Sequence, residues 1–161
     1  MLRVAIIGLG TISYIHQLGI QQSGLGKLVA VCDSNPSTAG DYADLPFYDN
    51  CEEMLEKENL DVVHICLPHD LHAPIAQKCM EYGVNVFLEK PLSLTYEEGL
   101  NLSKAVSDSK YKLGVCFQNR YNRTTTKLID ILETQPVEEI GSIRAVKGVV
   151  TWFRPESYYE A

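Results

Sequence analysis

Short apolar runs alternate with amphipathic segments along most of the 161-residue chain. Apolar residues recur at helical spacing over residues 11–22, 71–82, 95–108 and 122–133, and Pro36 opens a shorter segment, so helices are expected there. The runs between them predict six strands: LRVAIIG, KLVAVCD, PFY, DVVHICLP, VNVFLE and YKLGVCF. Strands that alternate with helices form βαβ units with parallel strands. The sequence therefore predicts an α/β fold with a doubly wound parallel sheet.

The pattern changes from about residue 141, where GSIRAVKGVVTWF is typical of one long strand with no helix after it. A lone strand cannot bury its own apolar face and needs neighbouring strands. We therefore expect residues 1–120 to form the α/β domain. Residues 121–161 are expected to contain a linker helix and the first strand of a second, α+β domain that is truncated in this chain.

Charge and cysteine content narrow the class of protein. The chain has 14 Lys and Arg against 21 Asp and Glu, a net charge of −7, which argues against nucleic acid or an anionic membrane as the partner. The apolar run VAIIGLG near the start is too short to span a bilayer, so a cytoplasmic protein is expected. Five cysteines without a CxxC pair favour reduced thiols over a disulfide framework.

A glycine-rich segment follows the first predicted strand and opens the first helix. In GLGTIS, Gly8 permits a tight turn, Gly10 lets a pyrophosphate approach the backbone, and Ser13 replaces the usual third glycine. Asp33 ends the next strand, where a carboxylate accepts hydrogen bonds from the adenosine ribose and repels a 2′-phosphate. The pattern predicts a Rossmann-type site for NAD, with NADP less favoured. The alternative is that Asp33 only caps the turn before Pro36.

Histidines and a cysteine cluster in HICLPHDLH, so a metal site has to be weighed. The segment contains no four-ligand zinc pattern with the usual spacing, and we expect no metal. His64 is interpreted as a core histidine, while His69 and His72 are expected to line the cofactor crevice.

Two charged residues close the fifth predicted strand, in VNVFLEKPLS. Pro91 biases Lys90 towards extended backbone, which aims Glu89 and Lys90 beyond the carboxyl edge of the sheet. A lysine beside a substrate hydroxyl can stabilise negative charge on its oxygen as an ammonium, or relay a proton if desolvation lowers its pKa. The alternative is a solvated charge pair of little energetic weight.

Taken together, GLGTISYIH, CLPHDLHAPIA, VFLEKPLSLTYEE and GVCFQNRYN resemble the Gfo/Idh/MocA family, in the right order over about residues 1–130. The resemblance implies an NAD(P)-dependent oxidoreductase, a dehydrogenase or reductase acting on a sugar, polyol or related hydroxy compound. It implies Lys90 as the catalytic lysine and places Glu89 against the nicotinamide half of the cofactor. His69 stands where the family often has asparagine.

The cofactor-binding residues predicted from the motifs and the resemblance are Gly8, Gly10, Thr11, Ile12, Asp33, Ser34, Cys66, Leu67, Pro68, His69, His72, Glu89, Lys90, Gln118 and Arg120. Gln118 and Arg120 are expected at the rim where two domains meet. The family's catalytic aspartate and histidine have no counterpart before Ala161. This chain alone is therefore expected to bind NAD without turnover, and the full-length protein to form a homo-oligomer through the missing sheet. The alternative is a non-catalytic, dinucleotide-binding sensor on the same fold.

Overall fold

The structure, a computed structural model, describes residues 1–136 and 141–156. The chain divides into two compact units, Met1–Phe117 and Gln118–Ala161, and each is described by itself. Among the described helices, none combines the length and the apolar character needed to cross a membrane.

The first unit is built on one parallel sheet, as predicted. Its six strands are β1 (Leu2–Ile7), β2 (Gly26–Cys32), β3 (Phe47–Tyr48), β4 (Val62–Ile65), β5 (Asn85–Glu89) and β6 (Leu113–Cys116). They lie in the order β3-β2-β1-β4-β5-β6, with every neighbouring pair parallel. The strand order reverses between β1 and β4, which is where this class of sheet opens a ligand crevice.

Four helices connect the strands: α1 (Ser13–Ser23), α2 (Cys51–Lys57), α3 (His72–Glu81) and α4 (Tyr96–Asp108). The segment opened by Pro36 is a 3-10 helix, Pro36–Tyr42, and a shorter one covers His69–Leu71. Thr95 and Glu98 form a capping box at the start of α4, with both reciprocal hydrogen bonds present. The helix α2, whose first N–H groups are capped by the Asn50 side chain, was not predicted from the sequence.

Both faces of the sheet carry a hydrophobic core, which explains the nearly continuous apolar strands. On the face covered by α2, α3 and α4, the core includes Ile7, Met54, Val63, Ile65, Cys79, Leu88 and Leu102. On the α1 face it includes Val4, Ile6, Ile20, Leu28, Val31 and Tyr42. The strands are paired so that Ile7 lies beside Cys32 and Ile65, Ile65 beside Leu88, and Glu89 beside Cys116. The residues that follow these strands therefore meet at one edge.

The second unit contains a 3-10 helix, Gln118–Tyr121, and α5 (Arg123–Thr134). Described residues 141–156 contain no strand in this structure, and the second domain expected from residue 121 stays a prediction. A strand needs a neighbour for its backbone N–H and C=O groups, and the apolar pattern alone does not supply one. Residues 137–140 and 157–161 of the predicted second domain lie outside the described residues.

Candidate functional site

The turn after β1 requires glycine at position 8. Gly8 has a φ of +89°, and a Cβ there would lie 2.7 Å from the carbonyl carbon and oxygen of Cys66 and 2.9 Å from the Leu67 nitrogen. The backbone leaving β4 therefore passes directly against the turn leaving β1. Gly8 and the Cys66–Leu67 turn form the floor of the crevice at the switch point.

The next part of the loop is open. A Cβ at Gly10 would meet no atom within 4 Å, and Thr11 and Ile12 are exposed. No side chain caps the first turn of α1, so the positive end of its dipole lies at this loop, although the Ser13 and Ile15 N–H groups already donate to the Gly10 and Ile12 carbonyl oxygens. An open glycine at an uncapped helix start fits the pyrophosphate of a dinucleotide.

Ser13 occupies the position of the usual third glycine and is buried. Its Oγ donates to the Gly10 carbonyl oxygen at 2.7 Å and lies 3.0 Å from the Tyr42 hydroxyl oxygen. Because the Ser13 proton is already donated to Gly10, Tyr42 is the donor of the second bond. The serine therefore ties the glycine loop to the 3-10 helix that follows Asp33.

Asp33 connects the ends of β1 and β2. Its Oδ2 accepts the Leu9 backbone N–H at 2.7 Å, and its Oδ1 accepts the Asn35 N–H at 2.8 Å. The carboxylate does cap the turn, as the alternative interpretation held. Each oxygen retains a further lone pair, however, so a contact with ribose hydroxyls stays a prediction. Ser34 beside it is exposed.

His72 does not lie where it was predicted to lie. Only 1% of the residue is exposed, and its ring nitrogens lie 2.6 Å from the Pro91 carbonyl oxygen and 2.9 Å from that of Leu67. The prediction that His72 lines the crevice is therefore wrong, because the ring lies beneath the two loops. Pro68 and His69 are exposed at the same edge.

Glu89 is the last residue of β5 and is only 7% exposed. Burial alone would raise the pKa of Glu89, but hydrogen bonds from His16, Cys116 and the Lys90 backbone N–H outweigh it and hold the pKa below its usual value. Lys90 itself is exposed, and the Lys90–Pro91 peptide bond is cis. Glu89 is paired with His16, so these two charges do not form the solvated pair that was the alternative.

The partners of Glu89 were not predicted from the sequence. His16 on α1 lies with Nε2 3.0 Å from Glu89 Oε1 and with Nδ1 2.9 Å from His64 Nδ1. His64, interpreted from sequence as a core histidine, is half-buried, and burial followed by the His16 charge lowers its pKa to about 4. The buried thiol of Cys66 has a raised pKa, chiefly through burial.

Two other features adjoin this edge. One ligand atom each from His16, Glu89 and Cys116 lies within 4.8 Å of the others, but hydrogen bonds within the cluster already account for its geometry. A largely apolar groove of about 420 Å³ on the α1 face, reaching His64, is separate from the glycine loop. Gln118 and Arg120 belong to the second unit, and their role stays a prediction.

Known proteins share this arrangement of elements. The chain is 35% identical to scyllo-inositol 2-dehydrogenase (NAD(+)) of Bacillus subtilis (strain 168) over 126 residues, which cover 75% of this chain and 36% of that protein. It is 31% identical to D-glucoside 3-dehydrogenase of Escherichia coli (strain K12) over 164 residues, covering 94% and 46%. The crystal structure of WlbA dehydrogenase from Bordetella pertussis, in complex with NADH and UDP-GlcNAcA, is similar with 30% identity and a TM-score of 0.78, covering 82% of this chain and 42% of that one.

The chain thus spans less than half the length of these three proteins. The family described as "Oxidoreductase family, NAD-binding Rossmann fold" matches residues 2–117, which include the whole sheet and the residues at its carboxyl edge. The chain therefore belongs to the Gfo/Idh/MocA oxidoreductase family.

Proposed function

We propose that this chain is the cofactor-binding part of an NAD-dependent dehydrogenase or reductase that transfers hydride between nicotinamide and a CH–OH group of a sugar or polyol. The observation that supports it most is the convergence of the open Gly10 loop, Asp33, the Cys66–Leu67 turn and the Glu89–Lys90 pair on one edge of the sheet. Similar proteins are named as inositol and glucoside dehydrogenases. The substrate class follows from those names and from the family.

The residues present serve two purposes, binding the cofactor and stabilising charge at the substrate oxygen. The α1 N-terminus and Gly10 bind the pyrophosphate, and the Asp33 carboxylate accepts hydrogen bonds from the ribose hydroxyls. When bound, NAD supplies the hydride acceptor. Lys90 places its ammonium at the substrate oxygen, where it stabilises the negative charge that develops as the hydroxyl proton passes to a base, which we propose that the second domain supplies. Its exposed side chain at the end of β5 leaves it free to reach a substrate.

We further propose that residues 121–161 begin a second domain that supplies the remaining substrate contacts. On this view the 161-residue chain binds NAD without turnover, and the whole protein is a cytoplasmic homo-oligomer. Size measurement by light scattering on a chain of the relatives' full length tests the oligomer, and a monomer would refute it.

Cofactor titration tests the proposed function on the chain itself. NADH is expected to bind at least about tenfold more tightly than NADPH, because the 2′-phosphate would approach the Asp33 carboxylate. Asp33→Ala should shrink the difference, while Asp33→Asn keeps an acceptor for the Leu9 N–H and removes only the charge. Asp41→Ala, which removes an exposed carboxylate, is the matched control. Equal affinities would refute the ribose assignment, and no binding of either cofactor would refute the function.

A further inference from the structure

Glu89 is enclosed by polar groups from neighbouring elements. Its Oε1 meets His16 Nε2 of α1 at 3.0 Å, and its Oε2 accepts the Lys90 backbone N–H at 3.1 Å. The Cys116 thiol of β6 is hydrogen-bonded to the same carboxylate. The titratable side chains that face Glu89 are His16, Cys116 and, from the end of β4, Cys66. Because burial keeps the Cys66 thiol protonated, Glu89 is not opposed there by a second anion.

The direction of the hydrogen bonds follows from the chemistry of the groups. An ionised carboxylate offers only acceptors, so His16 donates from Nε2 to Glu89. When the His16 ring is neutral, its Nδ1 has a lone pair, and the donor across the 2.9 Å contact is then Nδ1 of His64. His64 is neutral near pH 7, because burial lowers its pKa to about 4, and it therefore has one N–H to give. With His16 neutral, the donors run in one direction, from His64 through His16 to Glu89.

The His16 ring is also fixed by packing. His16 lies on the buried side of α1, together with Ser13 and Ile20. Its ring meets that of His64 edge-on, with centroids 5.1 Å apart, and lies 5.8 Å from the ring of Phe87. The His64 and Phe87 rings, whose centroids are 5.0 Å apart, pack against His16 from the same side. A ring packed in this way and bonded at both nitrogens has little freedom to turn. His16 therefore presents its Nε2–H to Glu89 in one orientation.

We propose that His16 is a positioning residue for Glu89: anchored by His64, it holds Glu89 as an ionised carboxylate in one orientation and so shifts the site's preference towards the oxidised, positively charged nicotinamide. This inference rests on the proposed function and on the place against the nicotinamide half of the cofactor that the family resemblance implies for Glu89. A fixed anion in a partly buried site attracts a positive ring and interacts far less with the neutral reduced ring. Removing the charge, or the group that orients it, should therefore change the ratio of the two affinities.

The first experiment needs no cofactor. In protein labelled with ¹³C at the glutamate carboxyl carbons, the Glu89 resonance is assigned with Glu89→Gln and followed from pH 7 to pH 3. His16→Leu should raise the Glu89 titration midpoint by about one pH unit, because the donor is lost. His16→Gln offers an N–H near the position of the histidine Nε2 and should restore the midpoint. An equal shift in both variants would mean that His16 acts by packing alone, and would overturn the proposal.

The second experiment measures dissociation constants for NAD⁺ and NADH with the same variants. Glu89→Gln should lower the preference for NAD⁺ over NADH about tenfold. His16→Leu should move it in the same direction and His16→Gln should restore it. His64→Leu should lower the preference for NAD⁺ in the same way as His16→Leu, but by less. His64→Asn keeps an N–H near the position of Nδ1 and should leave the preference nearly unchanged.

The outcomes separate this inference from the proposed function. If both cofactors bind but the ratio is unchanged in Glu89→Gln, the inference fails and the proposed function stands. If neither cofactor binds the wild-type chain, the proposed function fails, and the inferred preference for the oxidised cofactor fails as well. In that case the carboxyl titration still decides whether His16 holds Glu89 ionised.

Discussion

His72 holds the carbonyl oxygen of Pro91, with its Nδ1 2.6 Å from that oxygen. On the other side of the ring, Nε2 lies 2.9 Å from the Leu67 carbonyl oxygen. These two carbonyls belong to the loops that follow β4 and β5, which contain the Cys66–Leu67 turn and the Glu89–Lys90 pair. One buried ring at the start of α3 therefore joins the two loops that make this side of the crevice.

Replacing His72 with phenylalanine should destabilise the fold. His72→Phe keeps a ring of similar size but removes both ring nitrogens, so at least one partly buried carbonyl oxygen loses its donor, which costs about 1–3 kcal/mol. Urea unfolding measures the loss. His69→Phe is the matched control because that ring is exposed in the neighbouring turn, and it should change the free energy of unfolding by less than about 0.5 kcal/mol. Equal losses in the two variants would show that the carbonyl contacts contribute nothing.

The two glycines of the β1–α1 loop should respond to alanine in different ways. Gly8→Ala adds a Cβ 2.7 Å from the Cys66 backbone at a φ of +89°, and should lower the free energy of unfolding by about 2 kcal/mol or more. Gly10→Ala adds a Cβ that meets no protein atom within 4 Å. It should leave stability within about 1 kcal/mol but weaken NADH binding about tenfold or more, because the Cβ occupies the approach to the pyrophosphate. Unfolding curves and NADH titration of both variants check this, and tight NADH binding by Gly10→Ala would refute the assigned place of the pyrophosphate.

The strands were predictable because a strand buried on both faces is marked by its own apolar residues. The helix α2 was missed because it has only seven residues, and its clearest signal is the local cap at Asn50. Described residues 141–156 form no strand here, since strand formation depends on a partner that an apolar pattern does not specify.

In the site, too, features marked by local residues were predictable and contacts between distant residues were not. Gly8 and Asp33 were placed correctly at the sheet edge because each directly follows a strand, and the carboxyl ends of parallel strands share one edge. The network around Glu89 was not predictable in this way. His16 is 48 residues from His64 and 73 from Glu89 along the chain, so their contacts depend on how α1 packs over β4 and β5.

Lys90 should be needed for turnover but not for cofactor binding. In a chain of the relatives' full length, Lys90→Ala should lower kcat about 10²–10³-fold, because the positive charge that stabilises the substrate oxygen is lost. The NAD affinity should stay within a few-fold of the wild type. The kcat is measured by following NADH formation at 340 nm with inositols and glucosides, and the NAD affinity is measured by titration. Lys104→Ala, which removes an exposed lysine on α4, is the control. Full activity in Lys90→Ala would rule out the catalytic role.

His64 should make stability depend on pH. Burial, and then the His16 charge, lowers the pKa of His64 to about 4 in the folded chain, against about 6.5 when unfolded. Between these values the unfolded chain binds a proton at this position that the folded chain does not. Stability should therefore fall as the pH falls, by about 1–2 kcal/mol between pH 7 and pH 5.

Urea unfolding at a series of pH values measures this effect. The range stops at pH 5 because Glu89, whose folded pKa is lowered, contributes stability that is lost only at more acid pH. His64→Phe removes the titrating group, so it should flatten the slope even though loss of the His16 contact lowers stability at pH 7. The exposed His69 serves as the control, and His69→Phe should leave the slope unchanged. A full wild-type slope in His64→Phe would assign the pH dependence to other groups.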